Sequence, residues 1–228
     1  MINLDLDQNE RDKFVKDFFN SEATGSVLDI GAGGGPYREY LQSIGFSYTS
    51  QDFCQLNESL INEKKYAAID VVSDATNIPL DSESFDFVLI TEVIEHTPEP
   101  MMVIKEAARL TKFGGKVLVT APTIAGAHQE PFWFYGGFTK HWYEYVSNKY
   151  NLELIHCDYN KTSLDNIFKM NFAILSMTMK GVLRGKVQLL PLGLLYLVIV
   201  VLSFMALTFT KIQKDKRLSY GLISVFKK

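Results

Sequence analysis

The run Val27-Leu28-Asp29-Ile30-Gly31-Ala32-Gly33-Gly34-Gly35 constrains this chain more than any other stretch. Ser26 to Ile30 is a short apolar run that breaks off at glycines, the pattern of a buried strand entering a tight turn. Glycines there let the backbone come close to a ligand beside a helix N-terminus. Pro36 suits the first position of that helix, where its missing N–H has no partner to lose. The spacing narrows the ligand. A dinucleotide turn has the form G-x-G-x-x-G. Here Gly31 and Gly33 fit, but Pro36 takes the third place, and the glycines fall instead at 31, 33 and 35 behind Asp29. A carboxylate at that point would repel a pyrophosphate and suits a ligand that carries positive charge.

Periodicity extends the strand-turn-helix opening into an alternating chain. Residues 8–20 predict an amphipathic helix through Phe14, Val15, Phe18 and Phe19. Strands are expected at Phe46 to Gln51, Ala68 to Val72, Phe85 to Ile90, Lys116 to Thr120 and Leu152 to Ile155. Helices are expected at Glu99 to Thr111 and Thr139 to Tyr150. Such alternation implies a mostly parallel, doubly wound sheet. With 23 Lys and Arg against 26 Asp and Glu, the net charge of −3 leaves no electrostatic footprint for nucleic acid. Cys54 and Cys157 have no metal-ligand spacing, so no metal and no disulfide are expected. Residues 1–7 lack an apolar leader, which points to a cytoplasmic protein.

The glycine run resembles motif I of class I S-adenosylmethionine (SAM)-dependent methyltransferases, and segments downstream agree in order and spacing. Asp52 ends the second strand 21 residues after Gly31. Ile78-Pro79-Leu80, Phe85-Asp86-Phe87-Val88, Thr91-Glu92-Val93-Ile94-Glu95-His96 and Leu110-Thr111-Lys112-Phe113-Gly114-Gly115 each resemble a family segment. The likeness runs from about Val27 to Pro122. It implies a Rossmann-like seven-stranded sheet whose last strand is antiparallel, with SAM held by Asp29, Gly31, Gly33, Gly35, Asp52, Asp74, Ala75, Thr91 and Glu92. In this reading Asp52 accepts bonds from the ribose hydroxyls and Asp74-Ala75 lies against the adenine.

An alcohol acceptor also needs a group to take its proton. The Glu-x-x-Glu-His run at Glu92, Glu95 and His96 is similar to a quinone-pathway branch that uses such residues with a divalent metal; the competing reading makes Glu95 and His96 structural. The segment His128-Gln129-Glu130-Pro131, with Phe132, Phe134, Phe138 and Thr139, resembles methyltransferases encoded among glycan-biosynthesis genes. Gly136-Gly137 stand where those have an arginine. His128 is the preferred base, Glu130 its orienting partner and His96 a further catalytic candidate. An aromatic lid without chemistry is the alternative.

Val187 to Thr210 contains no charged residue over 24 positions. As a helix it would be about 36 Å long, or about 28 Å if Pro191 begins it, against a hydrocarbon core of about 30 Å. Leu222 to Phe226 is the candidate seventh strand, so the chain must come back to the sheet after the apolar run. Lys180, Arg184 and Lys186 precede that run, and Lys211, Lys214, Lys216 and Arg217 follow it. Basic residues at both ends argue against one simple crossing. A helical hairpin set into one leaflet fits, with a buried or dimeric soluble helix as the alternative. The expected organisation is a SAM-binding core over 1–160, a hydrophobic helical insertion over 161–216 and a closing strand over 217–228. The expected function is O-methylation of a sugar hydroxyl on a glycan or lipid-linked acceptor, in the cytoplasm or at the inner membrane face. The alternatives are methylation of a quinone or isoprenoid lipid, and an inactive SAM-binding membrane scaffold.

Overall fold

A computed structural model describes residues 6–56, 65–159, 163–209 and 221–228. The chain divides into two compact units. One holds residues 8–158 and 221–228, the other residues 1–7 and 159–220.

The larger unit is built on a seven-stranded sheet. Its elements are α1 (Leu6–Ser21), β1 (Ser26–Ile30), α2 (Arg38–Ser43), β2 (Ser47–Asp52), β3 (Val71–Val72), β4 (Phe85–Thr91), α3 (Pro100–Leu110), β5 (Thr111–Pro122), α4 (Lys140–Tyr150), β6 (Glu153–Tyr159) and β7 (Gly221–Lys227). The strand order is β3-β2-β1-β4-β5-β7-β6. Strands β1 to β5 run parallel, and β7 lies antiparallel to β5, with Leu118 opposite Val225. This is the expected fold class. Three strands differ clearly from expectation in length, and one of them, β6, runs on to Tyr159 rather than ending at Ile155. β3 shrinks to two residues because Asp70 turns its carboxylate onto the Ser50 N–H at 2.8 Å and takes Arg38 at 2.9 Å, ending the ladder in side-chain bonds. β5 begins at Thr111 rather than Lys116, with an irregularity opposite Phe85–Phe87.

Helix α1 is amphipathic for a visible reason. Val15 and Phe19, four residues apart, are fully buried, and Phe19 packs edge-on against Phe46 and Phe87 at 5.2 and 5.6 Å. Val27, Leu89, Leu118 and Val225 continue this core across four strands. Parallel β1, β2, β4 and β5 all end at one edge, so the turns after Ile30, Asp52, Thr91 and Pro122 gather there.

The smaller unit contains α5 (Ser163–Leu183) and α6 (Leu190–Phe209), joined by a short 3-10 turn at Val187–Leu189. The helices are antiparallel. A Cβ on Gly181 would meet Leu189, and one on Gly193 would lie 3.1 Å from the Met179 sulfur and 3.5 Å from Thr178, so small residues let them approach closely. Lys211, Lys214, Lys216 and Arg217, which the sequence reading placed after the insertion, lie outside the described residues. Among the described residues no helix is long and apolar enough to cross a membrane.

Phe226 is fully buried on β7 between the sheet and Tyr143 of α4, their rings 6.1 Å apart. Phe226→Ala should cost about 3–5 kcal/mol of stability, read from the midpoint shift of a urea melt followed by tryptophan fluorescence. A shift under about 0.5 kcal/mol, typical of surface sites, would mean that β7 does not close the core.

Candidate active site

The turn after β1 is shaped by lack of room. Gly31 has φ +70°, and a Cβ on it would sit 2.4 Å from Val93. Gly33 and Gly35 also have positive φ. The turn is tied sideways. Ala32 N–H donates to the Gln51 carbonyl at 3.0 Å, and Gly33 N–H donates to Asp52 Oδ2, also at 3.0 Å. Asp52 Oδ1 accepts from Cys54 N–H at 2.9 Å. Asp52 thus shapes the glycine turn, and each of its oxygens keeps a further lone pair.

Asp29 stands beneath this turn, almost fully buried. Tyr48 OH donates to its Oδ2, while Oδ1 has no hydrogen-bond partner among the described residues. Burial pushes its carboxyl up to about 7, the Tyr48 bond opposing and the Asp52 charge adding. Asp74 is exposed and folds back on Thr76, accepting from its N–H and hydroxyl at 2.7 Å each, with Ala75 inside that turn.

Glu92 follows Thr91 at the end of β4 with φ +54°, a conformation that costs about 1–3 kcal/mol for a side-chain-bearing residue. Among the described residues five non-glycines have positive φ, and three of them, Cys54, Glu92 and Gln129, follow β2, β4 and β5 at this edge. Glu92 Oε1 accepts from Thr120 Oγ1 at 2.8 Å. It also lies 3.9 Å from the Arg11 guanidinium, whose side chain is 15% exposed. Burial alone would lower the Arg11 pKa. Tyr37, Glu92 and Asp12 more than offset it and hold the guanidinium firmly charged.

The sequence reading missed Arg11. The signal was available: Arg11 lies four residues before Val15, on the stripe of α1 that faces the core, where a charge is out of place unless it has a destination.

Beyond Glu92 a 3-10 turn, Ile94–His96, places Glu95 almost wholly inside. Burial, reinforced by the Glu92 charge, raises its carboxyl well above the usual range. Glu95 Oε2 and the Tyr143 hydroxyl are both buried without hydrogen-bond partners among the described residues. The loop after β5 folds onto this turn. Phe134 and Tyr135 N–H donate to the Glu95 carbonyl at 3.0 and 3.2 Å, and Phe53 meets Phe132 edge-on at 5.0 Å.

Two histidines meet here, ring centroids 4.7 Å apart. His96 Nδ1 lies 2.6 Å from the Phe132 carbonyl, and His128 Nδ1 lies 2.8 Å from that of Gly126. A carbonyl can only accept, so each Nδ1 carries a proton, and in the neutral tautomer this leaves Nε2 as the acceptor. Burial, with the neighbouring His128, lowers the His96 pKa to about 4 against the Phe132 bond, so His96 is neutral near pH 7. The expected His128–Glu130 partnership is not formed. The Gly126 carbonyl orients His128, and Glu130 is exposed with no bond to it among the described residues, because the loop turns the carboxylate outward. Instead Glu95, His96 and His128 each bring one ligand atom to within 4.8 Å of the others, a group that could hold a cation and that joins His128 to the Glu-x-x-Glu-His run.

Residues 28–119 match the family model described as a methyltransferase domain. The chain is 36% identical over 98 residues to a ubiquinone biosynthesis O-methyltransferase of Coxiella burnetii, covering 40% of this chain and 41% of that one. It is 31% identical over 90 residues to a demethylmenaquinone methyltransferase of Geobacillus, covering 38% of each. The chain therefore spans about two fifths of the length of these curated relatives. The fold superimposes on phosphoethanolamine N-methyltransferase 2 of Haemonchus contortus in complex with SAM, with a TM-score of 0.55, 18% identity, and coverage of 96% of this chain and 52% of that one. The sheet and glycine turn are thus those of a class I methyltransferase domain, the class whose cofactor is SAM.

The depressed His96 pKa has a sign. Above about pH 6.5 the ring is neutral in both folded and unfolded chains, and its contribution to stability is whole. As the pH falls from about 6.5 towards 4 the unfolded chain takes up a proton that the fold refuses, and stability is lost. His96→Gln, which keeps a donor for the Phe132 carbonyl, should remove that part of the decline in thermal melts between pH 7 and 4.5. An unchanged decline would mean that His96 is not buried neutral.

Proposed function

We propose that this chain transfers a methyl group from SAM to a hydroxyl of a ring acceptor of the quinone class, at the cytoplasmic face of a membrane. The observation that carries the reading is the histidine pair whose Nδ1 atoms are both committed to backbone carbonyls, which leaves Nε2 of each ring as the nitrogen for an acceptor. The relatives' names supply the acceptor class. The sugar acceptor expected from the His128–Glu130 segment has no support from these relatives, and its proposed orienting contact is not formed.

Three features support a SAM site at the glycine turn: a turn too tight for a Cβ at Gly31, the Asp52 carboxylate beside it, and the unpartnered buried Oδ1 of Asp29. The sulfonium of bound SAM supplies an activated methyl and a good leaving group. The chain's task is then to hold the acceptor in line and take its proton. Asp52 would take the ribose hydroxyls, and Arg11 would set the anionic end of the methionine portion near Glu92. Thr91, the last residue of β4, and Asp74-Ala75, in the turn after β3, would complete the cofactor contacts in this reading. His128, exposed at the mouth, accepts the hydroxyl proton at Nε2, with His96 behind it.

A second reading rests on the 4.8 Å cluster. Glu95, His96 and His128 would hold a divalent cation, which would make an acceptor hydroxyl more acidic.

Calorimetry should show S-adenosylhomocysteine binding that Gly31→Val abolishes and Arg11→Gln weakens about tenfold, the scale of one charge-assisted hydrogen bond. Tight binding of a nicotinamide dinucleotide instead would sink the assignment. His128→Ala should leave that affinity nearly intact and lower kcat on a catechol or demethylquinol analogue by about 10²–10⁴-fold. Chelator separates the two readings. Activity that survives it supports direct base catalysis, and loss restored by a divalent metal supports the cluster as a cation site.

A further inference from the structure

We propose that the α5–α6 hairpin is a lipid-binding element that embeds in one face of an anionic bilayer. It lies outside residues 28–119, so the methyltransferase match says nothing about it. The proposal also stands apart from the choice of acceptor.

Among the described residues the two helices of this unit satisfy each other along one seam. Gly193 and Val200 of α6 and Thr178 of α5 are buried there. Leu194, Leu197, Val198, Val201, Leu202 and Phe204 are exposed, each by about half or more. At ~100° per residue these spread over about half the circumference of a helix roughly 30 Å long. A soluble helix has a polar outer face. A helix apolar all round is buried in protein or in lipid.

Two observations favour lipid. The first is how the hairpin treats its hydroxyls. Thr178 Oγ1 donates to the Ile174 carbonyl and Ser203 Oγ to the Ile199 carbonyl, each at 2.8 Å and four residues back. These two of the hairpin's hydroxyls are consumed within their own helix, as an environment without water requires. The second is charge. Residues 180–217 contain seven Lys and Arg and one Asp, a net +6 inside a chain of net −3. Of these cations, Lys180, Arg184 and Lys186 are exposed at the turn between the helices. A second copy would bring one strongly cationic hairpin against another. Anionic headgroups complement it, with lysine and arginine stems lying along the apolar surface.

The sheet restricts the geometry. The chain leaves the sheet at β6 and returns to it at β7, its neighbour, so the hairpin is an excursion that begins and ends in one sheet. Cations at the turn as well as in the sequence after α6 then hold both ends at the headgroups of one leaflet, with the outer face of α6 in the acyl boundary.

Flotation of the purified full-length protein with vesicles tests this. It should rise with phosphatidylethanolamine–phosphatidylglycerol vesicles and far less with phosphatidylcholine. A Leu194→Lys, Val198→Lys double variant should bind about tenfold less or weaker still, while its S-adenosylhomocysteine affinity stays unchanged. Protein that remains at the bottom with both vesicles, or a double variant that floats equally, overturns the proposal. So does a stable dimer in vesicle-free buffer that the double variant splits, because the face would then belong to a second copy. An Arg184→Cys variant made in a Cys54→Ser, Cys157→Ser background fixes the depth. A membrane-impermeant maleimide should label it on intact vesicles. Labelling only after the vesicles are opened would show that the hairpin crosses and overturn one-sided embedding.

Discussion

One hydrogen bond sets the ligand edge, from the Gly33 N–H to Asp52 Oδ2 at 3.0 Å. It joins the turn after β1 to the end of β2 and fixes the path of a backbone that glycine alone would leave loose. The carboxylate is itself pinned by the Cys54 N–H, so turn and acid are placed together. Replacing Asp52 would therefore disturb the shape of the turn as well as remove an acceptor. The crowding of Gly31 against Val93 links the same turn to the end of β4, where Glu92 is held in its left-handed conformation. Three strand ends are thus locked to one another before any ligand arrives, which is what a preorganised site requires.

Most of this edge was legible because its chemistry is local in sequence. Asp29 and the glycines lie within seven residues, and β4 with its Glu-x-x-Glu-His run lies within twelve. Apolar continuity marked β1 and β4, and the return strand β7 followed from the seven-stranded sheet that the family resemblance implies. What escaped depends on tertiary contact. Arg11 belongs to a helix that precedes the motif and gains its meaning only when Val15 and Phe19 dock under the sheet. The meeting of His96 with His128 joins residues 32 positions apart through a loop whose path no periodicity encodes. Glu130 was misjudged for the same reason, since nearness in sequence to His128 implied a contact that the loop turns away. The hairpin is the opposite case: its composition was plain, while its pairing through Gly181 and Gly193 was not.

The carboxylates of this edge raise an electrostatic question for the proposed reaction. A sulfonium loses its positive charge as the methyl departs. Full negative charges around it would stabilise the ground state more than the transition state, strengthening binding and slowing transfer. The chain limits that penalty at four acids. Burial lifts Asp29 to about 7, so that it is only partly ionised near neutrality. Burial and Glu92 together keep Glu95 protonated well beyond the usual range. Glu92, the more exposed of that pair, lies near the charged Arg11. Asp52, spent on two backbone N–H groups, has much of its charge already engaged. The acids thus act at the edge as hydrogen-bonding groups with damped charge, which allows a cation to bind without being held back when its charge must disperse.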